Sequence, residues 1–192
     1  MDMTITVMLL KILWNLLQFV SYLPDIPSIH VIILWYFLGL IFAMLVGDYF
    51  TKCVASLLKR SIKKDLGKDY EHYSKYSFSG RSVGFIERAL FLAAFLNDKA
   101  IGIIGVWLAL KAANQWIMWR GQKGKKAFVG RAIYNNFLIN SAHSLIYSYA
   151  GYKIISWLQD GKYSLAIFVA TITVLSSIVF YFWLEHLMRH KN

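Results

Sequence analysis

Apolar runs long enough to cross a lipid bilayer, separated by short polar segments, leave this chain few folds to choose from. The runs are Met3–Leu23, His30–Phe50, Val83–Leu96, Ala100–Trp119, Ala132–Tyr152 and Tyr163–Leu187. A spanning helix needs about 20 predominantly apolar residues, and only the third run falls clearly short. Arg81 and Ser82 extend it toward the interface. Asn97–Lys99 alone separates it from the fourth run, so these two are expected to form a tight helical hairpin. Composition agrees: 58% of residues are hydrophobic and 16% charged, whereas a soluble domain averages about 45–50% apolar and about 25% charged. The excess apolar surface calls for lipid as its solvent. The expectation is an all-α, polytopic transmembrane helix bundle, one domain over residues 1–192. The first run lacks an Arg/Lys-rich leader and a small-residue cleavage site before Pro24, so it reads as a retained segment and not a signal peptide.

The net charge of +11 is informative only once it is located. Basic residues concentrate in residues 52–82, from Lys52 to Arg81, and in residues 120–131, "RGQKGKKAFVGR", which contains no acid. Arg189 and Lys191 close the chain. The alternate connections, around Asp25, Asp98 and Asp160, are short and poor in base. Lys and Arg favour the cytoplasmic side, so six spans with both termini cytoplasmic bring every basic segment to one leaflet. The first run is the weak member. Lys11, Asn15 and Gln18 share one helical face, and if that helix lies in the interface the count falls to five. Anionic headgroups are the partner this charge predicts, in preference to nucleic acid. The tyrosines interleaved with lysines in "KDYEHYSKYSF" (68–78) fit a headgroup region.

Charged residues inside spans cost roughly 2.5–3.5 kcal/mol each on insertion scales, which makes each a candidate site. The hairpin sets Glu87 of the third run and Lys111 of the fourth at comparable depth on antiparallel helices, where they are expected to pair. Glu87 is placed about one turn inside the cytoplasmic end. Arg88, on a neighbouring face, is expected to turn outward to lipid phosphate or to the cytoplasmic loop. In the fifth run Asn136, Asn140, His143 and Tyr147 recur at i, i+4, i+7 and i+11. They form one polar stripe, read either as helix packing or as the wall of a polar path, with Ser141, Ser144 and Ser148 on a nearby face. Asn114 and Gln115, with Asp48 and Glu185 at the cytoplasmic ends of their spans, would complete a vestibule there. Glycines 39 and 47, and the "GIIG" of residues 102–105, read as points of close helix approach.

No nucleophile elbow, His-Glu-x-x-His pair or phosphate loop is present, so no catalytic motif is recognised and no cofactor is expected. The lone Cys53 excludes an internal disulfide and a cysteine zinc cluster. His186 and His190, spaced i, i+4, read as tail residues and not as metal ligands. The order Gly84-Phe-Ile-Glu87-Arg88, Ala100-Ile101-Gly102, Ala109-Leu110-Lys111 and "FLINSAHS" (137–144) resembles an uncharacterised bacterial integral-membrane module. Its pattern runs G-x-x-E-R, A-I-G, a lysine-bearing helix and L-I-G-T-x-x-S. Asn140-Ser141 stand where that module has Gly-Thr. The resemblance covers about Val83 to Tyr152 and implies an all-helical membrane fold, with Glu87, Arg88, Lys111 and Ser144 as matching positions. It implies no activity. The expected protein is therefore a multi-pass bacterial inner-membrane protein, a small carrier or homo-oligomeric pore whose polar cluster opens to the cytoplasm. The binding residues would be Glu87, Arg88, Lys111, Asn114, Arg131, Asn136, Asn140 and His143. The alternatives are a membrane-embedded enzyme acting on phospholipid headgroups, with Glu87 or His143 as acid/base and Lys111, Arg88 or Arg131 holding phosphate, and a scaffold that recruits partners through basic loops.

Overall fold

The computed structural model describes residues 29–66, 80–120 and 125–190; the first apolar run lies outside the described residues. Everything described is helix or tight turn. A first rod is built from α1 (Ile29–Ile41), a π-helical turn (Phe42–Val46) and α2 (Gly47–Leu66), joined through residues in right-handed helical conformation. The hairpin follows as α3 (Gly80–Leu96), a 3-10 turn (Asp98–Ala100) and α4 (Gly102–Arg120), then α5 (Lys125–Gln159) and α6 (Tyr163–His190).

α5 is the axis, and every other helix packs against it. Contacts fix the directions. Gly39 faces Gly151 while Gly47 faces Tyr147, so the first rod runs antiparallel to α5. Arg88 meets Ser148 and Phe95 meets Tyr152, so α3 runs parallel to it. Lys111 meets Ser141 while Ile104 packs near Leu145, and Tyr147 meets Ser177, so α4 and α6 return antiparallel. The consequence for charge is direct: Lys52–Lys64, the start of α3, Arg120, the start of α5 and Arg189 all fall at one end of the bundle.

The turns follow from local chemistry. Asn97 caps the 3-10 turn, its side-chain oxygen accepting from the Lys99 amide at 3.2 Å, which closes the expected hairpin. Between α5 and α6, Gly161 takes φ 71°. The Lys162 amide donates to the Trp157 carbonyl at 2.7 Å and the Gly161 amide to Leu158. This is the paired arrangement that satisfies the last carbonyls of a helix, and it needs a left-handed residue that glycine supplies.

The π turn has a packing consequence. In a regular α-helix, residues four apart drift about 40° around the axis at each step. A wider turn removes that drift, and Gly39, Ala43 and Gly47 fall on one line against α5. Cβ atoms built on Gly39 and Gly151 would each come within 2.7–2.8 Å of the other's carbonyl oxygen, and Ala43 lies 3.0 Å from the Gly151 position. The close approach expected at Gly39 and Gly47 is present. At Gly102 and Gly105 it is not: nothing lies within 4 Å of a Cβ placed there, and both residues face outward.

The main core lies where the first rod, α5 and α6 meet, around Trp35, Phe42, Phe50, Tyr147, Ile154 and Leu158. Phe50 stacks on Tyr147 with ring centroids 6.1 Å apart, and Phe42 lies tilted against it at 5.7 Å. The Tyr147 hydroxyl donates to Ser177 Oγ at 2.8 Å. Ser177 in turn donates to the Thr173 carbonyl. We expect Tyr147→Phe to cost about 0.5–1.5 kcal/mol, read as a lowered thermal midpoint in detergent.

Two helices are long and apolar enough to cross a membrane by length and composition, Ile29–Lys64 and Tyr163–Arg189. Only 28% and 33% of their most apolar stretches are buried within the bundle. Phe37, Leu40 and Leu45 on the first, and Phe168, Val179 and Phe182 on the last, point outward. The apolar part of α4 is shorter, Gly102–Ala113.

Helix limits depart from the apolar runs. The basic segments expected as loops are partly helical: Lys52–Leu66 continues the first rod, and Lys125–Arg131 opens α5. Hydropathy marks where the surroundings change, not where a helix stops, and Lys, Arg and Gln are good helix formers. In α2 the result is a two-faced helix, with Phe50, Val54 and Leu57 inward and Lys52, Lys59, Arg60, Lys63 and Lys64 outward.

Candidate functional site

Consecutive residues on a helix project about 100° apart, so Glu87 and Arg88 leave α3 in different directions. Each ends in a separate ion pair. Glu87, 1% exposed, receives Lys111 Nζ of α4 on both oxygens, at 2.9 and 2.8 Å. The same ammonium donates to Ser141 Oγ of α5 at 2.8 Å and sits 4.2 Å from the centre of the Phe137 ring. All three N–H groups of Lys111 are thus engaged. The pairing expected from the hairpin is present, but not at the boundary of the bundle. Lys111 is midway along α4 and Glu87 near the middle of α3, because α3 begins earlier than its apolar run.

Arg88 corrects a stronger expectation. It does not turn outward to headgroups; it is completely buried. Its Nη2 donates to Asp48 Oδ1 of α2 at 2.9 Å, and Nη1 lies 3.5 Å from Thr51 Oγ1. Asp48 also pairs with Lys52 one turn on. Gly47 leaves room for the arginine's stem, while the Gly84 position makes only ordinary contact with its head. A Cβ on Gly47 would come 3.1 Å from Arg88 Cδ, and one on Gly84 would lie 3.7 and 3.8 Å from the guanidinium nitrogens. The arginine reaches toward α2, while the glutamate turns to α4. The backbone of this turn is held as well, since the single Ser148 hydroxyl proton is shared between the Arg88 carbonyl at 3.0 Å and the Ser144 carbonyl at 2.7 Å.

The layer therefore contains three cations, Lys52, Arg88 and Lys111, against two anions, Asp48 and Glu87, a balance of +1. Arg88 Nε, Trp107 Nε1 and Asn140 Oδ1 are buried without a partner.

The polar stripe of α5 divides its allegiance. His143 is buried against Phe180 of α6, ring centroids 5.5 Å apart, with Nδ1 3.0 Å from the Ile139 carbonyl. Tyr147 also bonds to α6. Ser141 and Ser148 serve the α3–α4 side instead. His143 and Ser141, two residues apart, point to opposite sides of the helix, so His143 and Glu87 do not assemble into one acid/base pair. His143 and Tyr147 pack α5 against α6. Asn114, Arg131 and Asn136 fall on helices, but their side chains lie outside the described residues, as does Gln115. Glu185 pairs with Arg189 on its own helix, away from Asp48. Among the described residues no group of three His, Cys, Asp or Glu side chains is placed to hold a metal.

Sequence reasoning missed Asp48 as the partner of Arg88, and Thr51 and Ser141 as supporting hydroxyls. Asp48 did carry a signal, being an acid directly after a small residue in an otherwise apolar stretch, "LVGDYF".

Comparison of the chain with protein-family models, with curated proteins and with solved structures finds no match.

Proposed function

We propose that this protein is a multi-pass membrane protein of the bacterial inner membrane, with its basic end at the cytoplasmic leaflet, and that it works as a small carrier for a charged solute. The observation that carries the reading is the pair of ion bridges made by Glu87 and Arg88 in the middle of an outward-apolar bundle. Ionisable groups inside a membrane are costly, and where they persist they mark pathways for solutes or ions. The clustering of Lys and Arg at one end supports the orientation, and the outward-facing Phe, Leu and Val side chains support lipid as the surroundings.

What supports a carrier is that both bridges hang on one helix: a rotation or slide of α3 against α5 would open both pairs together. The enzyme reading, with Glu87 or His143 as acid/base, is less favoured, since Glu87 is engaged by Lys111 and His143 faces α6.

The test is flux into vesicles reconstituted with the full chain. Lys111→Met and Glu87→Gln are each expected to reduce flux tenfold or more (about 1.4 kcal/mol per factor of ten), with helix content by circular dichroism retained. Undiminished flux in both variants would remove the layer from the pathway.

A further inference from the structure

We propose that the seat made by Lys111 and Ser141 is an oxyanion site, in which the Glu87 carboxylate is a built-in stand-in for a carboxylate or phosphate group of the solute. This rests on the carrier reading and names its substrate class. Four observations converge.

First, exposure is uneven within the pair: Lys111 is 16% exposed and Glu87 1%. Of the pair, it is the lysine side chain and not the carboxylate that reaches the surface. Across α3 the order repeats, since Lys52, 48% exposed, stands outside Asp48 at 21%. Both approaches present a cation. Second, the contact that Glu87 makes is one that any two-oxygen anion can copy, with both oxygens on one ammonium at 2.8–2.9 Å. Third, Ser141 accepts from Lys111 and keeps its own proton to donate to an incoming oxygen, while the Phe137 ring face steadies the ammonium at 4.2 Å when the carboxylate leaves. Fourth, the layer stands at +1. An anion brings it to neutrality, whereas a cation would raise it to +2.

An internal stand-in weakens apparent affinity by the fraction of time it occupies the seat. If the open state is populated at roughly 0.1–10%, removing the competing carboxylate tightens anion binding about tenfold or more. This gives an unusual signature: Glu87→Gln binds the anion better and turns it over worse, because the stand-in that expels the solute is gone.

The experiment uses the purified full chain in phosphate-free maltoside detergent. Inorganic phosphate, succinate, phosphatidylglycerol and ethanolamine are each titrated while thermal unfolding is followed. The expected result is a rise in midpoint with phosphate or succinate, half-maximal at tenfold or more lower concentration in Glu87→Gln than in the native chain. The rise should be absent in the amide pair Glu87→Gln/Lys111→Gln, which keeps hydrogen-bonding groups in place should Lys111→Met fail to fold. A response to phosphatidylglycerol alone keeps the oxyanion seat and assigns it to lipid headgroups in place of a free solute. A response to ethanolamine in place of the anions overturns the proposal. So does an equal response in the amide pair, or no anion response in Glu87→Gln. The two readings separate cleanly: anion binding without flux retains the seat and removes the carrier, and flux that phosphate and succinate never inhibit retains the carrier and removes the seat.

Discussion

Asp48→Ala is expected to destabilise the bundle by about 3–5 kcal/mol, the cost of removing one partner from a buried ion pair. The reason lies in the surroundings of Arg88. With 1% of its side chain exposed, it has no route by which to carry its charge to water or headgroups. The α2 backbone at Gly47 passes close to its aliphatic stem and does not yield as a flexible side chain would. One guanidinium nitrogen, Nε, already lacks a partner, and losing Asp48 strands Nη2 as well. The contact to Thr51, at 3.5 Å, is too long to replace it. The double variant Asp48→Leu/Arg88→Met is expected to recover most of the loss, because it leaves no charge behind. Asp48→Asn should fall between, keeping an acceptor for Nη2 without the countercharge. Glu185→Ala serves as the contrast: its partner Arg189 is 75% exposed, and a surface pair spaced i, i+4 contributes at most about 0.5 kcal/mol. Reversible unfolding in mixed micelles measures all four. An Asp48→Ala variant within 1 kcal/mol of the native chain would mean that Arg88 finds another partner or reaches water after all.

Which parts of this site were legible in the sequence follows from chain distance. Glu87 and Lys111 flank a turn of a few residues, so counting residues out from Asn97–Lys99 places them side by side, and they pair. Asp48 and Arg88 lie 40 residues apart in the chain, and nothing in the order of residues sets the height of α2 against α3. The π turn compounds this, because it changes the phase between α1 and α2 in a way that a 3.6-residue period does not anticipate. In the fifth run the expected polar stripe does not say which neighbour it meets: His143 and Tyr147 turn to α6, and that direction depends on where α6 sits. For Gly102 and Gly105 the pattern misled: two small residues three apart resemble a crossing point but face outward. Gly39 and Gly47, eight apart, are real crossings. Periodicity tells which residues share a face and is silent on what covers it.

The second large effect belongs to that crossing. Gly39→Val is expected to cost about 3 kcal/mol, the upper end for overpacking a well-filled site, because the added atoms meet backbone as well as side chain. The Cβ alone would lie 2.7 Å from the Gly151 carbonyl oxygen, besides striking Cγ1 of Ile155. Ile155 is itself fully buried, packed with Ala43 and Leu92, and has little room to move. Trimming it is a diagnostic second step. Gly39→Ala/Ile155→Ala removes the side-chain clash but leaves the carbonyl contact, so it should recover only part of the loss. Displacing α1 from α5 also shifts Gly47 and Asp48 on the same rod, so Gly39→Val should weaken anion binding at the layer, two turns distant, although it touches no charged group. Gly105→Ala supplies the opposite sign. With nothing within 4 Å of its Cβ, the substitution only removes backbone freedom from the unfolded chain and should stabilise α4 by about 0.5–1 kcal/mol. If Gly39→Val and Gly105→Ala shift the unfolding midpoint alike, the helices do not cross where Gly39 and Gly151 put them, and the alignment that the π turn provides has no energetic role.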